Sequence, residues 1–288
     1  GEGLTRPELA VLLAYAKLSL HDALLASRVP DDPYLGKELV RYFPSTLVDR
    51  FPDSIESHRL RREIVSTQLA NAIVNRGGPS VVVRLADQTG ADAPAIASAY
   101  AAVRDSYDLG GFNGAVDRLD AAVPGALQMR LYGAGQELLL SRLVWFIRQI
   151  DWTTDTLDAV VSRYREGIAG IEASLPATLL PEQREQVDRR ATALVADGAP
   201  EALARRVATF PALVAAPDIV LVAARTGCAM EAVAATHFAV AARFRLAEIA
   251  MAARDVPVTD HYDRLALDGA LATIEAAHRA LTTEVVGD

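Results

Sequence analysis

The sequence predicts an all-α fold: a multi-helix bundle of long and short helices with no substantial sheet. Three observations carry this expectation. Ala and Leu dominate a hydrophobic fraction of 51%, and both favour helix over strand. Apolar residues recur at spacings of three and four along most of the chain, and nothing alternates with period two for long enough to demand a strand. Pro, Gly and Asp punctuate the chain at intervals suited to helix ends. Only 6% of residues are aromatic, so the core is expected to be small and aliphatic. The 288 residues allow one large or two smaller domains, and a chain of this size can bury roughly 75% of its unfolded surface. A helical domain over 1–288 is expected, with possible sub-bundles 1–110 and 111–288.

The organising element is expected at Pro52–Pro79, as one long helix. Asp53 or Ser54 would cap its start, and Glu56 would sit at its positive end. Arg76 suits the negative end, and Gly77 could take the left-handed conformation that closes a helix. Arg59, Arg61, Arg62 and Glu63 crowd into the first half. The second half is nearly charge-free and carries Gln68, Asn71 and Asn75, with Leu60, Ile64, Thr67, Asn71 and Asn75 sharing one side. Those amides read as polar cross-links of a central helix, or as the lining of a polar pocket. The arginines read as a solvated, self-paired face, or as a contact for another domain.

The remaining elements follow in order. Residues 4–28 form a first helix with the capping-box pair Thr5 and Glu8, and Pro7 in the first turn. Leu9, Leu12, Leu13, Ala16, Leu20, Ala23 and Leu24 make one apolar stripe, and Val11, Tyr15 and Leu18 make the other side apolar too. This helix is therefore expected to be largely enclosed. Pro30–Pro33 is a turn. Short helices follow at Tyr34–Tyr42 and Thr46–Phe51. Beyond Pro79, helices are expected at Ser80–Thr89, closed by Gly90, and after an Asp92 cap with Pro94 in the first turn. Asp108–Gly114 is the break point of the first half. Phe112–Leu119 and Pro124–Ile150 come next, the latter weakened at Gly133 and Gly135 by roughly 1 kcal/mol each relative to Ala.

The second half reads as hairpins: Leu157–Ser174, bounded by Pro176, and Pro181–Ala196, ended by Asp197 and Gly198. Short pieces at Pro200–Thr209, Pro211–Ala216, Pro217–Thr226, Met230–Phe238 and Arg243–Arg254 are separated by Pro or Gly. A long helix over Val258–Val286 ends the chain, with Gly269 as a point of interruption.

Charge narrows the function classes. The net charge is −8, a field that opposes phosphate backbones, so no nucleic-acid partner is expected. Cys228 is the single cysteine, which excludes an internal disulfide and fits a reducing, cytoplasmic compartment. Glu8, Lys17, His21 and Asp22 interrupt the apolar run Leu4–Leu25, so no membrane span is expected there. Gly1 in place of an initiator Met suggests a piece of something longer.

Chemistry is sparse. Gly133-Ala134-Gly135 resembles the start of a dinucleotide fingerprint, but it lacks the third glycine and a preceding strand. Close helix packing is the expected use, and no cofactor site is expected in this segment. The histidines His21, His58, His237, His261 and His278 include no pair at i, i+3 or i+4, so no metal site is indicated. Asp260–Asp263 reads as an acidic first turn of the last helix. Arg225 near Cys228 could activate the thiol, although a bystander cysteine is the plainer reading. No G-x-S-x-G occurs, and no catalytic residue is singled out.

Three blocks carry a resemblance: LTRPELAVLLAYAK at Leu4–Lys17, DDPYLGKELVRYF at Asp31–Phe43, and HRLRREIVSTQLANAIVNRGGPSVVV at His58–Val83. The chain resembles the C-terminal segment of the large bacterial NAD-specific glutamate dehydrogenases. The likeness is close over about the first 110 residues and looser beyond, where WFIR at Trp145–Arg148 echoes the pattern. The resemblance implies a longer, oligomeric parent that oxidises L-glutamate to 2-oxoglutarate and ammonia with NAD. Its catalytic lysines and dinucleotide domain would lie upstream of this segment. The expected role is a non-catalytic helical domain that supports the catalytic domain, assembly or regulation. Arg59, Arg61, Arg62 and Arg76 are candidates for an interdomain contact. The alternative is a regulatory small-molecule module at Gln68, Asn71 and Asn75.

Overall fold

The first helix, α1 (Arg6–Leu25), starts as its sequence requires. Thr5 accepts from the Glu8 amide while the Glu8 carboxylate accepts from the Thr5 amide at 2.8 Å, with Pro7 in the first turn. Two of the four orphan amides of a helix start are thereby satisfied locally. The structure, a computed structural model, describes residues 3–287, so Gly1 and the inference drawn from it lie outside the described residues. Within them the regular structure is entirely helical, with no strand. Two 3-10 turns, Val29–Asp31 and Pro33–Leu35, lead into α2 (Gly36–Tyr42), α3 (Ser45–Arg50), α4 (Pro52–Glu56) and α5 (Arg61–Gly77). Then come α6 (Val81–Thr89), α7 (Ala93–Ser106), α8 (Leu109–Asp117), α9 (Gly125–Gln149) and α10 (Leu157–Thr178). The series ends with α11 (Pro181–Ala196), α12 (Glu201–Leu213), α13 (Ala216–Thr226), α14 (Met230–Arg243), α15 (Leu246–Arg254) and α16 (His261–Gly287).

The chain divides into two units: Gly1–Asp105 with Leu139–Val161, and Ser106–Leu138 with Ser162–Asp288. In the first unit α5 packs against α1 and α2. Its buried face is Val65, Leu69 and Ile73 with Ile64, Ala70 and Val74, and Leu24, Leu35 and Leu39 are also fully buried in this unit. Each such Val, Leu or Ile side chain contributes roughly 1.5–3 kcal/mol by leaving water. In the second unit α11 pairs with α12, and α13, α14 and α16 pack on one another.

Several expectations are corrected. The long helix expected over Pro52–Pro79 is two helices. Between α4 and α5 the Ser57 hydroxyl donates to the Asp53 carbonyl at 2.7 Å and His58 Nδ1 accepts from the Leu60 amide at 3.2 Å. These local side-chain bonds give the backbone an alternative to the helical ladder. Neither Asp53 nor Ser54 is the cap, since both lie inside α4, whose N-cap is Phe51. At the far end Gly77 stays helical and buried, and Gly78 takes the positive φ of +88°. A Cβ on Gly77 would stand 2.7 Å from Val81.

Prolines end fewer helices than expected. Pro176 lies inside α10 and Pro211 inside α12. Each sits within a turn of the helix end, where the missing N–H removes only one bond. Leu179 and Leu213, beyond the prolines, are buried and hold the chain on course. α14 continues to Arg243 and α15 begins at Leu246, because the turn between them falls at Arg245, with φ +53°. α16 passes through Gly269 unbroken, and α8 begins at Leu109, ahead of Phe112, because Asp108 caps it.

The last correction concerns α1. Only Leu20 and Leu24 of this helix are buried. Val11 is 56% exposed, Tyr15 68% and Leu18 59%, and Leu9 and Leu12 are exposed as well. The side chains ask for a partner on two faces, and α5 serves only the second half of one of them. Periodicity reports which residues seek burial, and it does not report whether the partner lies within the same stretch of chain.

Candidate functional site

The arginines singled out at the head of α5 do different things. Arg62 points back to the end of α1. Its Nη2 donates to the carbonyls of Leu25 at 2.7 Å and Ser27 at 2.8 Å, and Nη1 pairs with Asp31. A planar fork with five donors suits this use, and it satisfies carbonyls that a helix end leaves open. Arg61 is half-buried and borders a crevice of about 490 Å³ with Lys37, Val48 and Ile55. Arg59 is exposed, as is Leu60 beside it. Arg76 is half-buried in the last turn of α5.

Gln68 and Asn71 are half-buried and Asn75 is exposed. The crevice beside α2 and a second cavity among α10–α12 are lined by other residues.

Buried polarity lies elsewhere. In the first unit Arg104, on α7, donates from Nη2 to Glu38 Oε1 at 2.6 Å and from Nε to Asp105 Oδ1 at 2.8 Å. Lys37 Nζ reaches Asp105 Oδ2 at 2.5 Å and lies over the Tyr34 ring, whose hydroxyl donates to Asp105 at 3.2 Å. Arg41 closes on Glu38 at 3.0 Å. Burial alone would push the Asp105 carboxyl up. Hydrogen bonds and charge from Arg104 and Lys37 outweigh it and hold the group down, at about 2. Burial pushes the Tyr100 hydroxyl up to about 12 and pulls the Lys37 ammonium down. Each ionic group faces an opposite charge, which is what a low-dielectric interior demands. The signal was present in the sequence: Arg104 and Asp105 are the only charges in the otherwise apolar run Ala93–Val103 and its continuation to Tyr107.

In the second unit the structure stacks His237 on His278, with ring centroids 3.7 Å apart. His237 Nδ1 lies 3.1 Å from the Thr282 hydroxyl, and His278 Nε2 donates to the His237 carbonyl at 2.9 Å. Arg279 pairs with the buried Asp218 close by. Burial, then the neighbouring His278 and Arg279, lowers the His237 imidazole to about 3, so it is neutral at ordinary pH. Sequence spacing could not reveal this pair, because the two residues come from α14 and α16. Cys228 is half-buried, with Sγ 3.6 Å from the Val286 carbonyl. Asp260 caps α16 by accepting from the Asp263 amide at 2.9 Å. Among the described residues no group of three or more His, Cys, Asp or Glu could hold a metal.

Gly133 and Gly135 lie inside α9, and a Cβ on Gly135 would come within 2.5 Å of the Phe112 ring. Gly135 serves close packing, whereas a Cβ on Gly133 would meet nothing within 4 Å, and the two do not form the strand–turn–helix corner of a dinucleotide fingerprint. Among the described residues no single helix is long and apolar enough to cross a membrane, although the bent pair α12 and α13 passes by length and composition together.

The sequence profile of the family described as "Glutamate dehydrogenase, C-terminal" matches residues 1–288. Curated relatives agree. The chain is 38% identical to the NAD-specific glutamate dehydrogenase of Halomonas elongata over 288 residues, covering 99% of this chain and 18% of that protein. It is 35% identical to the NAD-specific glutamate dehydrogenase of Pseudomonas aeruginosa, again over 99% of this chain and 18% of the relative. Against the Mycobacterium tuberculosis enzyme of the same name the identity is 30%, over 99% of this chain and 17% of the relative. The chain thus spans less than a fifth of the length of these relatives, and with its whole length matched by the profile it belongs to the glutamate dehydrogenase C-terminal family.

Proposed function

We propose that these 288 residues are the non-catalytic helical domain at the C-terminal end of a large NAD-specific glutamate dehydrogenase, and that they support the catalytic part of the same polypeptide and its assembly. The parent reaction would be L-glutamate, NAD and water giving 2-oxoglutarate, ammonia and NADH, with NAD held outside this segment. The observation that carries this reading is the exposed first half of α1. Val11, Tyr15 and Leu18 stand open to solvent in a chain that covers 18% of its relatives. Exposed apolar residues gathered on one helix mark interaction surfaces more often than those scattered singly. The remaining four-fifths of the polypeptide is the nearest source of a cover. Arg59 and Arg61, at the head of α5, would add charge complementarity near the end of α1, to which Arg62 is committed. A cytoplasmic, oligomeric parent fits this reading.

The test is a triple variant of the full-length enzyme, Val11→Glu, Tyr15→Glu and Leu18→Glu. These side chains are exposed, so each change should move the stability of the domain by only about 0.5 kcal/mol. We expect glutamate-dependent NADH production to fall at least about tenfold, or the oligomeric mass to drop, while hydrogen exchange in α11–α16 stays unchanged. Full activity at unchanged mass would refute the role given to α1. Full activity after deletion of the whole segment would refute the supporting role itself.

A further inference from the structure

The second unit carries a cavity that no part of the supporting role uses. It measures about 660 Å³ and lies among α10, α11 and α12, with the end of α7 at its wall. That volume is in the range of small-molecule sites. Its origin is visible in the sequence. α11 reads PEQREQVDRRATALVA and buries only Ala191, so it contributes Val187 where a large aliphatic residue would fill the space. Ile168 and Leu175 of α10, Leu179 just beyond it, and Phe210 and Leu213 of α12 are buried side chains that border the void.

Polar groups converge on this apolar floor. Ser106 lines the cavity, is 3% exposed, and its buried hydroxyl has no hydrogen-bond partner. An orphan of this kind costs about 1–3 kcal/mol in an empty site. Pro176, which also lines the cavity, removes the N–H that would otherwise bond the Glu172 carbonyl. Two guanidinium groups are fixed in place by backbone. Arg206 donates to the Tyr107 carbonyl at 3.0 Å and the Asp108 carbonyl at 3.1 Å, and Arg184 to the Pro176 carbonyl at 2.9 Å. Each carries five donors, enough to hold these bonds and still meet a carboxylate. Arg205 pairs with Asp188 and Arg206 with Asp108. Adding Arg165, Arg184 and Glu172 leaves the lining one positive charge in excess.

We propose that this cavity binds a small amphipathic carboxylate: a compact apolar body against Ile168, Leu175 and Phe210, with its anionic head between Ser106 and the arginines. The site does not depend on the supporting role proposed above, and either can fail without the other. Octanoate, octan-1-ol and octylammonium serve as probes, each titrated against the full-length polypeptide with hydrogen exchange as readout. The expected result is saturable protection by octanoate confined to peptides within 162–214, at an affinity about tenfold or more above that of octylammonium. Ala169 and Ala202 line the cavity but are exposed, so Ala169→Trp with Ala202→Trp should block the site without disturbing the core and abolish the protection. Ser106→Ala should weaken octanoate about threefold to tenfold and leave octanol unchanged. The proposal is overturned by an absence of protection with octanoate, by protection that survives the double tryptophan variant, or by equal protection from all three probes.

Discussion

The two units bury polarity by opposite means. The first encloses full charges, with Arg104 held between Glu38 and Asp105 and Lys37 closing the set. The second encloses a neutral stack, His237 on His278, with the Arg279–Asp218 ion pair beside it. A buried ion cluster is insensitive to pH until a carboxylate is forced to take a proton. A buried neutral imidazole opposes a proton that water would readily supply. The difference teaches that the units should fail at different places along a pH or mutational scan, although both are plain helical packings.

The largest expected effect comes from removing the shared cation. Arg104→Met leaves Glu38 and Asp105 buried without their shared cation, with Arg41, Lys37 and the Tyr34 hydroxyl still beside them. A broken buried pair typically costs 3–5 kcal/mol, and the lower end, about 3 kcal/mol, is expected here because those partners persist. Native-state hydrogen exchange should show the loss in amides of α2 and α5, with those of α14 and α16 unmoved. Equal loss in both groups would mean that the two clusters do not report on separate units.

A smaller effect follows from acid. His237 has a folded-state pKa near 3, against about 6.5 in the unfolded chain. Between those values the unfolded state binds the proton and the folded state does not, so stability falls as pH falls through 6.5. At pH 5 the expected loss is about 2 kcal/mol, read in the exchange of α14 and α16. Asp105 behaves differently. Its folded value is near 2, against an ordinary carboxylate value near 4, so its contribution is intact above about pH 4 and lost only below it. Amides of α2 and α5 should therefore stay flat from pH 7 to 5. A parallel decline in the two sets would remove the distinction between charged and neutral burial.

How much of this was legible in the sequence depends on distance along the chain. The Thr5–Glu8 box, the Asp92 cap that accepts from Ala95 at 2.9 Å, and the left-handed Gly90 at φ +75° all act over a few residues. The break at Ser57–Leu60 is also local, but Ser and His each tolerate helix, and the bonds of the Ser57 hydroxyl to Asp53 and of the Leu60 amide to His58 are not legible from propensity. Pro176 and Pro211 misled because propensity sees the missing N–H and not the buried leucine beyond it. The His237–His278 stack and the Lys37–Asp105 contact join residues 41 and 68 positions apart, and no periodicity carries such pairings. The amides of Gln68, Asn71 and Asn75 drew attention by composition. Along α5 they are half-buried at Gln68 and Asn71 and exposed at Asn75.

The smallest effect sharpens the contrast from the other direction. Ser66 lies on the core face of α5, fully buried, and its hydroxyl has no partner. Here the first unit leaves a polar atom without the charge or hydrogen bond that answers every member of the Arg104 cluster. Removing an unsatisfied group returns its desolvation cost, against the small loss of packing from one oxygen. Ser66→Ala should therefore be neutral to stabilising, by up to about 1 kcal/mol, and Ala also gains slightly in helix propensity. Thermal unfolding of the two proteins side by side decides the matter. A clear destabilisation would show that the hydroxyl is bonded after all, through a buried water or a carbonyl of its own helix.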